Sequence, residues 1–318
     1  MKKFLIPMLL LVVMASCSNK EVDFPDYAYQ TVYFAYQYPV RTITFGEDIF
    51  NTDLDNEGKC RIVATTGGVY SSKKNIDIQI SVDKTLLGNG LLFGAGGDEV
   101  LAMPDNYYKM AANIITIPEG GLTGGVEVQL TDAFFNDPKA IKNTYVIPLR
   151  MVNKGSADSI LAGKGFTLYA IKYVNTWHGN YLRRGKDVVT GSFSQTIIRH
   201  KQYVEDDEVN KLNTKSRKEL VFPVVFKDKN GVNVTCPLTL TFDDAGNCTI
   251  AAGTTGFTAT GSGKFVKKGE KNSWGAKDRD ALYLNYEVTL PDMKVTSLDT
   301  LVMRDRAVAV ETFTPVAK

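Results

Sequence analysis

Histidine is almost missing from this sequence. In 318 residues there are two, His178 and His200. A Ser-His-Asp triad would have to use one of them, and neither comes with a G-x-S-x-G elbow or an H-E-x-x-H pair elsewhere in the chain. Cysteine is as scarce: Cys17, Cys60, Cys236 and Cys248 are too few and too scattered for a disulfide framework, and no Cys/His cluster has zinc spacing. Cys236 and Cys248 share one apparent hairpin, but pairing Thr241 with Cys248 sets Cys236 opposite a residue near Gly253, so no bridge is expected. Long apolar runs are absent too. The best, Phe4–Val13, is about half of what spans a bilayer and is broken by Pro7. Nor is there an excess of one charge. The chain has 37 Lys+Arg and 35 Asp+Glu, and Lys2 and Lys3 fall in the first sixteen residues, which hold no acid. The remaining 302 residues are balanced, which argues against a general attraction to nucleic acid or to an anionic surface.

What is present begins with a leader. Lys2 and Lys3, the short apolar run, and small Ala15 and Ser16 before Cys17 describe a secretory signal peptide over residues 1–16. A Cys at this place resembles the lipobox of bacterial lipoproteins, in which that Cys is acylated and begins the mature chain. Met14 stands where that family usually has Leu or another aliphatic. Residues 17–26 read as a polar tether. Within it Lys20, Glu21 and Asp23 resemble the acidic signal that sends Bacteroidetes lipoproteins to the outer face of the outer membrane. The resemblance implies lipidation at Cys17, membrane association through the lipid, and surface exposure.

From Tyr27 the texture is strand, turn, strand. IDIQISVD puts Ile76, Ile78, Ile80 and Val82 on one face, and turn signals recur about every ten residues. Only short helices are expected, around Asp83–Leu87 and Asp132–Ile141. This predicts an all-β fold, with an immunoglobulin-like β-sandwich over residues 27–175. TWHGNYLRRGK then opens a second unit of about eight antiparallel strands, residues 176–318, compatible with a lipocalin-like β-barrel or a jelly roll. The charged stretch Val204–Glu219 reads as a solvated hairpin loop.

Several motifs fail on inspection. GAGGDE (Gly94–Glu99) lacks a third Gly, and GFTATGSGK (Gly256–Lys264) has Ser262 where a phosphate loop needs Lys; both read as turn glycines. DLDNEG (Asp53–Gly58) starts like a calcium loop but has Ala64 at its twelfth position, which excludes an EF-hand; a tight turn is the simpler reading, and calcium binding by another geometry stays open. Asp278 and Asp280 flank Arg279 and follow Lys277, which favours ionised carboxylates over an acid/base pair. No catalytic residue, cofactor or metal site is assigned.

ATTGG, IDIQISVDKTLL, LAMPDNYYKM, IITIPEGG, VEVQLTDAFF and TYVIPLRM run in the order of an N-terminal domain of unknown function of Bacteroidetes surface lipoproteins. That domain occurs in non-catalytic proteins and ahead of some endo-β-N-acetylglucosaminidases. The second half, from WHGNYLRRG through WGAKDRDALYLNYEV to DTLVMRDR, looks like its companion C-terminal domain. The resemblance implies an accessory glycan-binding lipoprotein working beside a starch-utilisation-type outer-membrane transporter pair. Sugar recognition needs an aromatic face with polar side chains at its rim. The two tryptophans mark the candidates: Trp274 with Asn272, Lys277, Asp278 and Arg279, and Trp177 with Tyr181. The alternatives are a fimbria-like scaffold and, behind it, a glycoside hydrolase. Radiolabelled palmitate should enter the wild-type chain in the native host and should not enter Cys17→Ala.

Overall fold

The structure, a computed structural model, describes residues 25–318; the signal peptide, Cys17 and most of the tether lie outside the described residues. The protein is all-β, with 55% strand and 7% helix.

The first domain is two facing sheets. One has the order Ser159–Ile160, Thr31–Tyr33, Lys59–Gly67, Thr123–Leu130 and Tyr108–Met110. The other runs Glu311–Thr312, Pro39–Thr44, Phe166–Val174, Tyr145–Met151, Ile76–Val82 and Ile114–Ile117. Period-2 alternation aims Cys60, Ile62 and Ala64 of one sheet at Ile76, Ile78 and Ile80 of the other. Val82, last on that face, reaches solvent. Phe45, Phe134, Phe135 and Tyr173 close the core in edge-to-face contacts at the end nearest the second domain.

The second domain is a closed eight-stranded barrel. Gly179–Gly191, Glu208–Ser216, Glu219–Lys227, Asn233–Phe242, Asn247–Ala252, Thr258–Ser273, Lys277–Thr289 and Met293–Asp305 each pair antiparallel with the next. The last closes on the first, from Asn180 opposite Asp305 to Gly191 opposite Met293. This up-and-down order lacks the Greek-key crossovers of a jelly roll, so the barrel alternative holds.

The barrel interior is filled rather than hollow. Apolar side chains such as Phe222, Leu238, Leu284 and Val295 occupy most of it. Among them lies a balanced ionic cluster. Arg183 donates from Nε (3.1 Å) and Nη2 (2.9 Å) to Asp299 Oδ2, which also accepts from the Tyr286 hydroxyl at 2.7 Å. Arg199 bridges Asp187 and Asp299, and Ser297 donates to Asp187 at 2.6 Å. Burial alone would lower the affinity of Arg183 for its proton; Tyr286 and Asp299 reverse this and hold it above the ordinary arginine value. Removing one member would strand its partners, at a cost of about 3–5 kcal/mol. The glycines of GSGK serve the same core. A Cβ on Gly261 would lie 2.5 Å from Tyr286 Cβ, and one on Gly263 2.4 Å from Leu284 Cδ2. They are packing glycines within a strand, not turn glycines.

Three further expectations change. Val204–Glu219 is not a loop, because Asn210, Leu212 and Thr214 alternate inward and make Glu208–Ser216 a barrel strand. Its inward residues are mostly polar, which hid the period. The Cys236–Cys248 hairpin pairs Phe242 with Cys248, one residue from the expected register; Cys60, Cys236 and Cys248 are free and buried. Asp53–Asn56 is a single helical turn in which buried Asp55 accepts from Arg41 and from Thr44 N (2.9 Å), so that carboxylate is committed to the fold.

The domains meet at Asn175–His178. Asn175 Nδ2 donates to Ser216 O and Glu219 O, each at 2.9 Å. Arg306, 4% exposed, donates to His178 O (2.8 Å), Glu47 O (2.8 Å) and Asn175 O (2.7 Å). Past Arg306 the chain returns to the sandwich: Val40 pairs with Glu311 and Leu92 with Val316. His178 Nδ1 accepts from Thr214 N at 3.0 Å, and burial, helped by Arg306, lowers its pKa from 6.5 to about 4. The unfolded chain therefore binds a proton that the folded chain refuses between pH 6.5 and 4. This contribution is whole above pH 6.5 and should shrink by about 3 kcal/mol as the pH falls to 4. Urea midpoints across this window should fall more steeply for the wild type than for His178→Gln, which keeps an acceptor for Thr214.

Candidate functional site

Trp274 sits where the strands Thr258–Ser273 and Lys277–Thr289 join, in a single 3-10 turn, Trp274–Ala276. Gly275, at φ +67°, allows a reversal that leaves the indole at the barrel rim. The ring is half-buried and fixed from two directions. Its Nε1 donates to Met303 O at 3.3 Å, and the Arg279 guanidinium lies 3.5 Å from the ring centroid. Arg279 Nε donates to Trp274 O at 3.2 Å; among the described residues its Nη groups meet no acceptor.

On the rim side the indole lines a hollow of about 440 Å³ with Tyr203, Gln202, Asn272, Arg184 and Glu270. Arg279, whose guanidinium covers one face of the ring, lines a neighbouring hollow instead. Most of the charged groups here are already partnered. Arg184 Nε donates to Asp207 at 2.6 Å, Lys271 to Asp278 at 2.9 Å, and Glu270 accepts from Tyr283 OH at 2.8 Å. The Lys271 contact, with the Asn272 amide, holds the Asp278 carboxyl below its usual range; burial and Glu270 push the Tyr283 phenol up to about 12. Strain concentrates at the same place. Lys268, Asn272, Ala276 and Ala307 are the non-glycine residues with positive φ among the described residues, at +45° to +52°, and all four line one of the two hollows.

The structure brings Trp274, Asn272, Asp278 and Arg279 together as one constellation, with exposed Lys277 beside them. Asp278 pairs with Lys271 rather than with its sequence neighbours Lys277 and Arg279. Trp177 and Tyr181 lie elsewhere. Trp177 stacks on Phe242 with centroids 4.0 Å apart and planes 10° from parallel, and Tyr181 OH donates to Trp177 O at 2.7 Å within the barrel core. Tyr181 is fully buried, and Trp177, 9% exposed, reaches a separate hollow beside Asp243, Asp244 and Lys267. Tyr203, Gln202 and Arg184 line the same hollow without having been named from the sequence; the one local signal is an aromatic beside a planar amide just ahead of the charged stretch Val204–Glu219.

Residues 176–307 match the family described as Domain of unknown function (DUF5627), and residues 27–158 match an N-terminal-domain family. A comparison with curated proteins finds no relative. A crystal structure of unknown function from Bacteroides ovatus is 44% identical, covers 91% of this chain and 99% of its own, and superposes with a TM-score of 0.87. More distant is an auxiliary nutrient binding protein from Bacteroides thetaiotaomicron, 14% identical over 86% of this chain and 95% of its own, TM-score 0.39. Another is a protein proposed to bind carbohydrate from Bacteroides ovatus ATCC 8483, 13% identical over 90% of this chain and 99% of its own, TM-score 0.32. Likeness at that level carries no inference about this chain.

The two tryptophans should separate in solution. Iodide should quench about as much fluorescence in Trp177→Phe as in the wild type, and much less in Trp274→Phe.

Proposed function

The chain belongs to the family of that two-domain Bacteroides ovatus protein, and from this premise we propose that it is a non-enzymatic carbohydrate-binding lipoprotein that holds oligosaccharides at the barrel rim. The family brings no activity of its own, so the reading rests on the Trp274 hollow. An indole backed on one face by Arg279 and lining the hollow presents a rigid apolar surface suited to the C–H face of a sugar ring. Asn272, Gln202 and Tyr203 stand around it as amide and hydroxyl groups of the kind that bond sugar hydroxyls. Strained backbone at Asn272 and Ala276 supports a site held ready before the ligand arrives.

The leader supports attachment through Cys17 to the outer membrane, facing outward. The described chain supports the same orientation. Thr31 pairs with Gly67 and Ser159 at the end of the sandwich away from Asn175, so a tether entering there places the barrel beyond the sandwich, with the Trp274 rim at the junction between them. In that position the protein would capture oligosaccharides for a starch-utilisation-type transporter pair. Native affinity electrophoresis through gels containing a panel of glycans tests the reading. Trp274→Ala should lose retention, a weakening of at least about tenfold, or 1.4 kcal/mol, with little change in melting temperature. Retention equal to wild type in every gel that slows the wild type would remove the platform.

A further inference from the structure

The Trp274 hollow has a second chamber. Against it lies a hollow of about 350 Å³ walled on one side by the barrel, through Arg279, Met303 and Arg306, and on the other by the sandwich loop Glu47–Phe50. Direct contacts form the partition between them. Each of its contacts joins a residue lining one chamber to a residue lining the other: Trp274 under Arg279, Trp274 Nε1 to Met303 O, Lys271 to Asp278, and Asn272 N to Asp278 at 3.1 Å. Both chambers fall in the size range of ligand sites, about 300–1,000 Å³.

The sandwich side of the second chamber carries an apolar pair with no packing reason to be there. Ile49 is 88% exposed and Phe50 72% exposed, on a loop tied down at both ends. Arg306 holds Glu47 O, Lys267 pairs with the Glu47 carboxylate at 3.0 Å, and Thr52 Oγ1 donates to Gly46 O at 2.6 Å. A fixed loop that presents a phenyl ring to water beside a chamber resembles the arrangement at Trp274: an aromatic surface held ready on a rigid support.

Charge selects the class of occupant. Five carboxylates face four cations around the second chamber, and two face two around the first. Most are paired with one another or with backbone, as are Lys271 with Asp278, Arg184 with Asp207, and Asp280 with Lys268 N. Neither chamber has the cationic excess that a polyanionic chain would need.

We infer that the two chambers form one composite groove, shared by barrel and sandwich, that takes a linear neutral glycan with one ring on Trp274 and a later ring against Phe50. This deepens the reading of Trp274 as a sugar platform and rests on it. It makes the sandwich a part of the binding site and makes affinity depend on chain length.

Isothermal titration calorimetry of the full chain with chitin, starch and mannan hexasaccharides, their disaccharides, and a galacturonic acid hexamer tests it. Phe50 is exposed, so Phe50→Ala leaves the fold intact. It should weaken the best neutral hexasaccharide about fivefold, the scale of about 1 kcal/mol for one lost aromatic contact, and leave the matching disaccharide within a factor of two. Trp274→Ala should weaken both. If Phe50→Ala binds the hexasaccharide as wild type does while Trp274→Ala does not, the composite groove is wrong and the platform stands. If Trp274→Ala binds everything as wild type does, or no glycan in the set binds, both fall. Tighter binding of the galacturonic acid hexamer than of every neutral chain overturns the charge argument.

Discussion

One guanidinium holds this molecule in its working shape. Arg306 is buried and, among the described residues, meets no carboxylate; it donates instead to three backbone carbonyls, two from the interdomain segment and one from the sandwich loop. Burial lowers the affinity of such a group for its proton, and the carbonyl dipoles are what make a charge tolerable there. Because its partners are backbone atoms, the contact fixes the course of two chain segments rather than the rotamers of two side chains. The loop bearing Phe50 and the strand end bearing Met303 take their positions from it, so the walls of the rim chambers depend on a residue that lines only one of them.

The barrel reached by this hinge has the outline of a ligand carrier without the cavity. Arg183, Asp187, Arg199 and Asp299 close their charges on one another inside the lumen, with Tyr286 and Ser297 completing the bonds. A neutral ionic cluster in a full core gives structural uniqueness and little capacity. The hollows beside Trp274 lie instead at the rim, where strand ends and turns accept conformations that a regular ladder refuses. The left-handed backbone at Lys268, Asn272, Ala276 and Ala307 falls there.

Much of the fold was legible because period-2 alternation survives translation into sheets. Ile76, Ile78 and Ile80, and Leu282, Leu284 and Tyr286, point as their spacing says. The strand Glu208–Ser216 was illegible because its inward face is Asn, Leu and Thr, so burial there does not appear as hydrophobicity. Trp274 and its neighbours could be read as one candidate cluster because they are contiguous in sequence. Tyr203 and Phe50 come from segments roughly seventy and more than two hundred residues away, and only closure of the barrel and docking of the domains bring them near. Trp177 shows the opposite failure: the same residue type, in a similar glycine-bearing context, is a core stack on Phe242.

The return of the chain after Arg306 has its own consequence. Glu311 completes the sandwich sheet beside Val40, with Lys172 ion-paired to its carboxylate at 2.8 Å, and Phe313 packs between Tyr38 and Phe93. In topological terms the barrel is an insert spliced into a sandwich whose last edge is supplied only after the insert is finished. Two seams, at Asn175 and at Arg306, join it to its host. A cut at either one leaves the halves connected through the other, and exchange of the barrel for a different domain would have to preserve both.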